Sequence, residues 1–105
     1  MIFRRQRFAD VVARQLEVFA EDEARGLLEE VRDAKVVYDR ADRDEAEERY
    51  GDYMDVVEAA TEALADMRWR YAATLDEEAA EEYEEAFNRA VRKRWPVLGM
   101  EIDNR

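Results

Sequence analysis

An apolar residue recurs every three or four positions through the middle of the chain, and this spacing constrains the fold more than any other sequence feature. Steps of four and three alternate without a break at Ala46, Tyr50, Tyr53, Val57, Ala60, Leu64, Met67 and Tyr71. Residues at this spacing share one face of an α-helix, whereas a half-buried strand would show strict alternation. The sequence therefore predicts a long helix with one buried stripe, ending near residue 72.

Three further apolar series with the same period predict the remaining helices. They are Phe8, Val12, Leu16 and Phe19; Ala24, Leu27, Val31, Ala34 and Tyr38; and Ala79, Tyr83, Ala86, Phe87, Ala90 and Val91. Asp22 is a candidate N-cap between the first two series. The sequence leaves open whether residues 5–39 form one helix or two.

Polar segments and capping residues indicate where these helices end. The segment 39–45, DRADRDE, predicts a short turn before the long helix. Thr74 and Glu77 form a T-x-x-E capping box, which predicts the start of the last helix. Pro96 ends that helix after a run of basic residues, and we expect residues 96–105 to form an extended or frayed C-terminal tail.

These patterns together predict an all-α fold. A chain of 105 residues is long enough for one domain and too short for two, so we expect a single all-α domain over residues 1–105. Short connections make successive helices antiparallel neighbours. The predicted architecture is an up-and-down antiparallel bundle of four helices, or of three if the first two are continuous.

The charge balance and the missing residue types exclude several classes of function. With 28 acids against 17 bases, the net charge is −11, which argues against binding to nucleic acid or to an anionic membrane. There is no cysteine, histidine or serine, which removes disulfides, imidazole and thiolate metal sites, and nucleophiles that need a histidine base. No apolar run is long enough to span a membrane and the N-terminus lacks a signal peptide, so we expect a cytoplasmic protein.

Two acidic clusters lie on the helices that flank the polar turn. Positions three and four apart share a helix face, so the acids of each cluster can converge. They are Glu29, Glu30 and Asp33 on the first helix, and Glu48, Asp52 and Asp55 on the second. Because Mg²⁺ is held by a few carboxylates together with water and phosphate oxygens, these acids form a candidate metal site.

Around these acids the sequence resembles the MazG-type all-α nucleoside triphosphate pyrophosphohydrolases. The signature of that family is E-E-x-x-E on one helix and E-x-x-D, often within E-L-G-D, on the next. Glu29 and Glu30 match the doubled glutamate, and Asp33 stands where the third glutamate would be. Gly51 and Asp52 match the Gly-Asp pair.

The resemblance covers roughly residues 24–60 and has one departure from the family pattern. Asp52 follows Asp33 by 19 positions, the separation typical of the family, but Arg49 stands where a glutamate is expected. Two repairs are open: Glu48 replaces the missing glutamate, or Asp52 and Asp55 form a shifted D-x-x-D.

The resemblance implies a metal-dependent enzyme that cleaves a nucleoside triphosphate between its α- and β-phosphates, giving a monophosphate and pyrophosphate. Mg²⁺ or Mn²⁺ would lower the pKa of the attacking water. The implied ligands are Glu29, Glu30, Asp33 and Asp52, with Glu48 or Asp55 completing the set. The resemblance also implies a homodimer or homotetramer, and Val56, Ala59 and Ala63 form a small-residue face suited to that contact.

Two other functions remain open from the sequence: a MazG-like scaffold that has lost activity, and a non-enzymatic helical bundle that acts through protein–protein contacts. In the second case the acids are simply a solvated helix face. We expect Tyr50 and Tyr53 in the core, and we expect Trp69, which lies off the buried stripe, at an oligomer interface or stacked on a base. Gly51 costs roughly 1 kcal/mol inside a helix, so its expected role is to let a neighbouring helix or a metal-bound phosphate approach the backbone.

Overall fold

The computed structural model describes residues 7–21 and 26–105. These residues form five α-helices and no strand: α1 is Ala9–Glu21, α2 is Leu27–Asp39, α3 is Ala46–Ala72, α4 is Glu77–Arg94 and α5 is Pro96–Ile102. The all-α prediction is confirmed. Within the two described ranges, none of the helices combines the length and the apolar character that crossing a membrane requires.

Helix α3 is the central element and packs against α2, α4 and α5. Its 27 residues extend roughly 40 Å at the usual rise per residue. The ring of Tyr38 in α2 stacks on that of Tyr53, with centroids 6.1 Å apart, so α2 covers the first part of α3. The ring of Tyr71 lies 4.7 Å from that of Tyr83, so α4 covers the last part. Helix α1 packs against α4.

The core consists of the apolar stripes that the sequence predicts. In α3 the buried stripe residues include Tyr53, Val57, Ala60 and Leu64. The other helices contribute Val12, Leu16 and Phe19 from α1, Tyr83, Phe87 and Val91 from α4, and Leu98 and Ile102 from α5. One stripe position differs from the prediction, because the side chain of Tyr50 is 48% exposed near the start of α3.

A glycine in the left-handed region stands directly before α2. Gly26 has φ 57° and ψ 17°, a conformation that side-chain-bearing residues adopt at a cost. Helix α1 ends at Glu21 and α2 begins at Leu27, so the described part of residues 5–39 contains two helices. The candidate N-cap Asp22 lies outside the described residues.

The predicted end of the long helix at residue 72 is confirmed, but the predicted capping box is wrong. The N-cap of α4 is Asp76, whose carboxylate accepts a hydrogen bond from the N–H of Ala79 at 2.9 Å. The hydroxyl of Thr74 instead donates to the carbonyl of Tyr71 at 2.7 Å, at the end of α3.

The segment expected to be an extended or frayed tail is helix α5, so that expectation is wrong. Leu98, Gly99 and Ile102 are buried, because they pack on α3 and α4. Beyond the helix, the carboxylate of Asp103 accepts a hydrogen bond from Arg92 at 2.7 Å. The up-and-down arrangement of four helices stays a prediction.

Candidate functional site

The six carboxylates of the predicted metal site all lie exposed on the surface of α2 and α3. Their helices meet through apolar residues, since Val31 is buried and Tyr38 packs on Tyr53. The acids occupy the other faces of the same two helices. In residues 7–21 and 26–105, no group of three or more Asp, Glu, His or Cys side chains lies together in a way that could hold a metal ion. Metal binding by these acids therefore stays a prediction.

Arg49, the residue that departs from the family pattern, pairs with the acids around it. Its Nη1 lies 3.3 Å from Oδ2 of Asp52, and its Nη2 lies 3.9 Å from Oε2 of Glu45. Both pairs are at helical spacings of three and four. Such surface pairs are worth between 0 and about 1 kcal/mol, so their main effect is local charge compensation. Asp52 thus has a guanidinium partner where the family pattern would place a second carboxylate.

Gly51 does not have the packing role expected of it. The residue is exposed, and a Cβ atom placed on it would meet nothing within 4 Å, so no neighbouring helix approaches its backbone. The close approach occurs at Gly99 instead. A Cβ there would lie 2.5 Å from the Cα of Arg92, because α5 packs directly against the backbone of α4.

Two aromatic side chains, Tyr50 and Trp69, are exposed on α3. Trp69 is 68% exposed, and nothing in the described chain covers it. Tyr50 contacts the ring of Tyr38, with centroids 5.4 Å apart, and leaves almost half of its surface accessible. The role of Trp69 at an interface or against a base stays a prediction.

An apolar groove lies between α2 and the junction of α4 with α5. Its volume is about 460 Å³, within the range of roughly 300 to 1,000 Å³ that is usual for ligand sites. The apolar lining consists of Leu28, Val31, Val36, Tyr53, Trp95, Pro96, Val97 and Leu98. Sequence reasoning missed this groove because one of its walls, α5, was expected to be a frayed tail.

Three cations border this groove: Arg32 and Lys35 from α2, and Arg94 from the end of α4. The ammonium group of Lys35 donates to both carboxylate oxygens of Asp39 at 2.7 and 2.8 Å, and this hydrogen bonding raises the pKa of Lys35. The guanidinium of Arg94 lies 4.9 Å from the centroid of the Trp95 ring. Among the described residues, neither Arg32 nor Arg94 has a carboxylate partner.

Helix α2 packs on α3 but leaves two valine side chains exposed. Val31 is the one buried side chain among its 13 residues, and four more apolar side chains are partly buried against the core: Leu27, Leu28, Ala34 and Tyr38. Val36, which lines the groove, is 45% exposed, and its neighbour Val37 is 49% exposed. A signal for this was present in the sequence, since these two valines lie outside the apolar series of their helix. They add apolar surface that the contact with α3 does not use.

Two buried polar side chains serve the packing of the bundle. Arg68 is 6% exposed, and its Nη1 donates to Oδ1 of Asn88 at 2.7 Å and to the carbonyl of Ile102 at 3.2 Å. The second acceptor lies at the C-terminal end of α5, where the helix dipole favours a cation. The hydroxyl of Tyr83 donates to Oε1 of Gln15 at 2.8 Å and so connects α4 to α1.

No protein-family model, no curated protein and no solved structure matches this chain.

Proposed function

We propose that the chain is a non-enzymatic helical protein that acts through a protein–protein contact. The observation that carries this proposal is the apolar groove of about 460 Å³ beside α2, together with the exposed side chains of Val36 and Val37. Exposing a contiguous apolar surface has a free-energy cost, and where such surfaces occur they usually mark interaction sites. A partner that covers α2 would remove this cost.

The charge around Asp52 also favours a non-enzymatic role. A divalent cation bound to Asp52 would lie close to the guanidinium of Arg49, which is 3.3 Å from one carboxylate oxygen. Like charges at such short range repel, so Arg49 lowers the affinity of this position for a metal. The exposure of all six acids is also what a solvated helix surface requires.

A metal-dependent nucleoside triphosphate pyrophosphohydrolase is the second candidate. One observation favours it: all six carboxylates are exposed, so a metal–nucleotide complex or a second copy of the chain can reach them without unfolding a helix. In this case the chain would assemble as a homodimer or homotetramer with Mg²⁺ or Mn²⁺ at the acids. The arrangement of the helices as an up-and-down bundle would be common to both candidates.

The decisive experiment measures metal-dependent stability and pyrophosphate release together. For the wild-type chain we expect the same Tm with and without Mg²⁺ or Mn²⁺, and no pyrophosphate from a panel of nucleoside triphosphates. The variant Arg49→Glu restores the glutamate of the family pattern and is the matched comparison. A Tm rise with metal that is confined to Arg49→Glu would identify a MazG-like scaffold that has lost its activity.

A different set of results would favour the enzymatic candidate. Metal-dependent pyrophosphate release by the wild-type chain, lost in both Glu30→Gln and Asp52→Asn, would reject the non-enzymatic proposal. Circular dichroism of the two variants excludes loss of fold as the cause, since both side chains are exposed.

A further inference from the structure

We infer that the groove between α2 and the α4–α5 junction binds an acidic amphipathic helix of a protein partner. This inference rests on the proposed function and adds to it the place of the contact and the chemistry of the partner. It follows from three observations: an apolar floor, a cationic border and the distribution of exposed apolar residues over the rest of the chain.

The floor of the groove suits the apolar face of a helix. Leu28, Val31 and Val36 come from α2, and Trp95, Val97 and Leu98 lie opposite them. The groove is open to solvent and is walled by helices, the setting in which an amphipathic helix places its apolar side chains at positions i, i+3, i+4 and i+7. Trp95 is an aromatic side chain of the kind that dominates the energetics of such contacts.

The border of the groove has the opposite sign to the molecule as a whole. The chain has a net charge of −11, yet Arg32, Lys35 and Arg94 surround this one apolar surface. Lys35 is paired with Asp39, whereas the charges of Arg32 and Arg94 have no carboxylate partner among the described residues. Carboxylates that flank the apolar face of a partner helix would form ion pairs with these two guanidinium groups. Complementary charge also raises the association rate.

The chain itself offers a poor occupant. Its first residues include Arg4 and Arg5, which have the same charge as the border of the groove. Three of the large exposed apolar residues, Val18, Trp69 and Met100, lie on three different helices. The other three, Val36, Val37 and Tyr50, lie on α2 and at the start of α3. A second copy that docked through its own α2 would bring Arg32 and Lys35 toward the same cationic border.

The experiment uses a synthetic amphipathic peptide of about five helical turns, with leucine at one face and glutamate at the other positions. Its control has lysine in place of each glutamate. Binding to the full chain is followed by fluorescence anisotropy of the labelled peptide and by the emission of Trp95 in a Trp69→Phe background. We expect the glutamate peptide to bind about tenfold or more tightly than the lysine peptide, with an affinity that falls as salt is added.

Two pairs of variants assign the binding to the groove. The double variant Arg32→Glu/Lys35→Glu reverses two charges at the border of the groove. Its control, Arg40→Glu/Arg43→Glu, changes the net charge by the same amount in the exposed turn after α2. Val36→Glu places a charge on the apolar floor of the groove. Its control, Val18→Glu, places the same charge at a similarly exposed position of α1. We expect about tenfold weaker binding from the first member of each pair and no loss beyond about twofold from the second.

Several outcomes would overturn the inference. Equal binding of the two peptides would show that the charge of the partner does not determine binding. Equal effects of the two members of a variant pair would show that the peptide does not bind in the groove. Binding of neither peptide also overturns it. A concentration-dependent dimer that Val36→Glu abolishes would show that a second copy fills the groove. None of these results depends on pyrophosphate release, so failure of this inference is distinguishable from failure of the proposed function.

Discussion

Gly51 and Gly99 show how differently two helical glycines can act. Gly51 lies in α3 with open space where its Cβ would be, so its lack of a side chain serves no packing contact in the described chain. Gly99 lies in α5 against the backbone of Arg92, where a Cβ would be only 2.5 Å from the Cα atom. The sequence alone cannot separate these cases, because the role of a helical glycine depends on what packs opposite it.

Replacing each glycine by alanine should therefore change stability in opposite directions. We expect Gly51→Ala to raise the free energy of unfolding by about 0.5 to 1 kcal/mol, because alanine loses less backbone entropy on folding into a helix. Gly99→Ala should lower it by about 1 to 3 kcal/mol, because α5 must move away from α4. Urea denaturation of the three chains measures both changes. A destabilising Gly51→Ala would mean that something contacts Gly51 in solution.

At the scale of single elements, α5 is the clearest case of tertiary packing deciding local structure. The helix has only seven residues and contains Gly99, so its intrinsic stability is low even though Pro96 suits its first position. It forms because Leu98 and Ile102 share one face and are buried, and because Arg68 donates to its last carbonyl. None of these partners can be identified from the spacing within residues 96–105, which explains why a frayed tail was expected.

A pair of substitutions in α5 tests its place in the core. Leu98 is 1% exposed and Met100 is 74% exposed. We expect Leu98→Ala to lower the free energy of unfolding by about 2 to 5 kcal/mol through lost burial and a residual cavity. Met100→Ala should change it by less than about 0.5 kcal/mol. Denaturant unfolding followed by far-UV circular dichroism provides the measurement, and equal small effects would mean that α5 is frayed in solution.

The sequence predicted the helices better than it predicted their contacts. The apolar series identified α1, α3 and α4 and placed the end of α3 at residue 72. The cap of α4 was predicted wrongly, because Thr74 and Asp76 are both suitable N-cap residues and only the structure shows which of them meets a free N–H. Local patterns establish elements, while caps and contacts depend on the neighbouring geometry.

The same limit applies to the candidate site. The spacing of the acids predicts that each cluster shares a helix face, and in the structure all six carboxylates are exposed. Whether two clusters meet depends on which faces pack together, and the apolar residues that join α2 to α3 turn the acids outward. The groove was not predicted, because it combines α2 with α5, a helix that the sequence did not reveal.

For the whole molecule, the pH dependence of stability should show a contribution from Tyr83. This side chain is fully buried where α1, α3 and α4 meet, with its ring against those of Phe8, Tyr71 and Phe87. Burial raises the pKa of Tyr83 to about 12, compared with an ordinary value of 10.0. The folded chain therefore holds this proton more tightly than the unfolded chain. The resulting stability is fully present below pH 10 and is lost as the pH rises from about 10 to about 12.

Unfolding experiments at alkaline pH test this assignment. We expect the difference in unfolding free energy between wild type and Tyr83→Phe to be constant below pH 10. Above that pH the wild type should lose up to about 1.4 kcal/mol per pH unit more than the variant. The lost hydrogen bond to Gln15 gives a constant offset and does not change the slope. Parallel curves above pH 10 would contradict the raised pKa.

The shallow burial of α2 has a consequence for the lifetime of any complex that it forms. With Val31 as its one buried side chain, α2 can detach from α3 at a smaller free-energy cost than α4, whose Tyr83, Phe87 and Val91 are all completely buried. Part of the free energy of binding then goes into holding α2 in place, which lowers the net affinity. If the proposed partner binds through α2, this cost shortens the lifetime of the complex, because differences in affinity arise mostly in the dissociation rate.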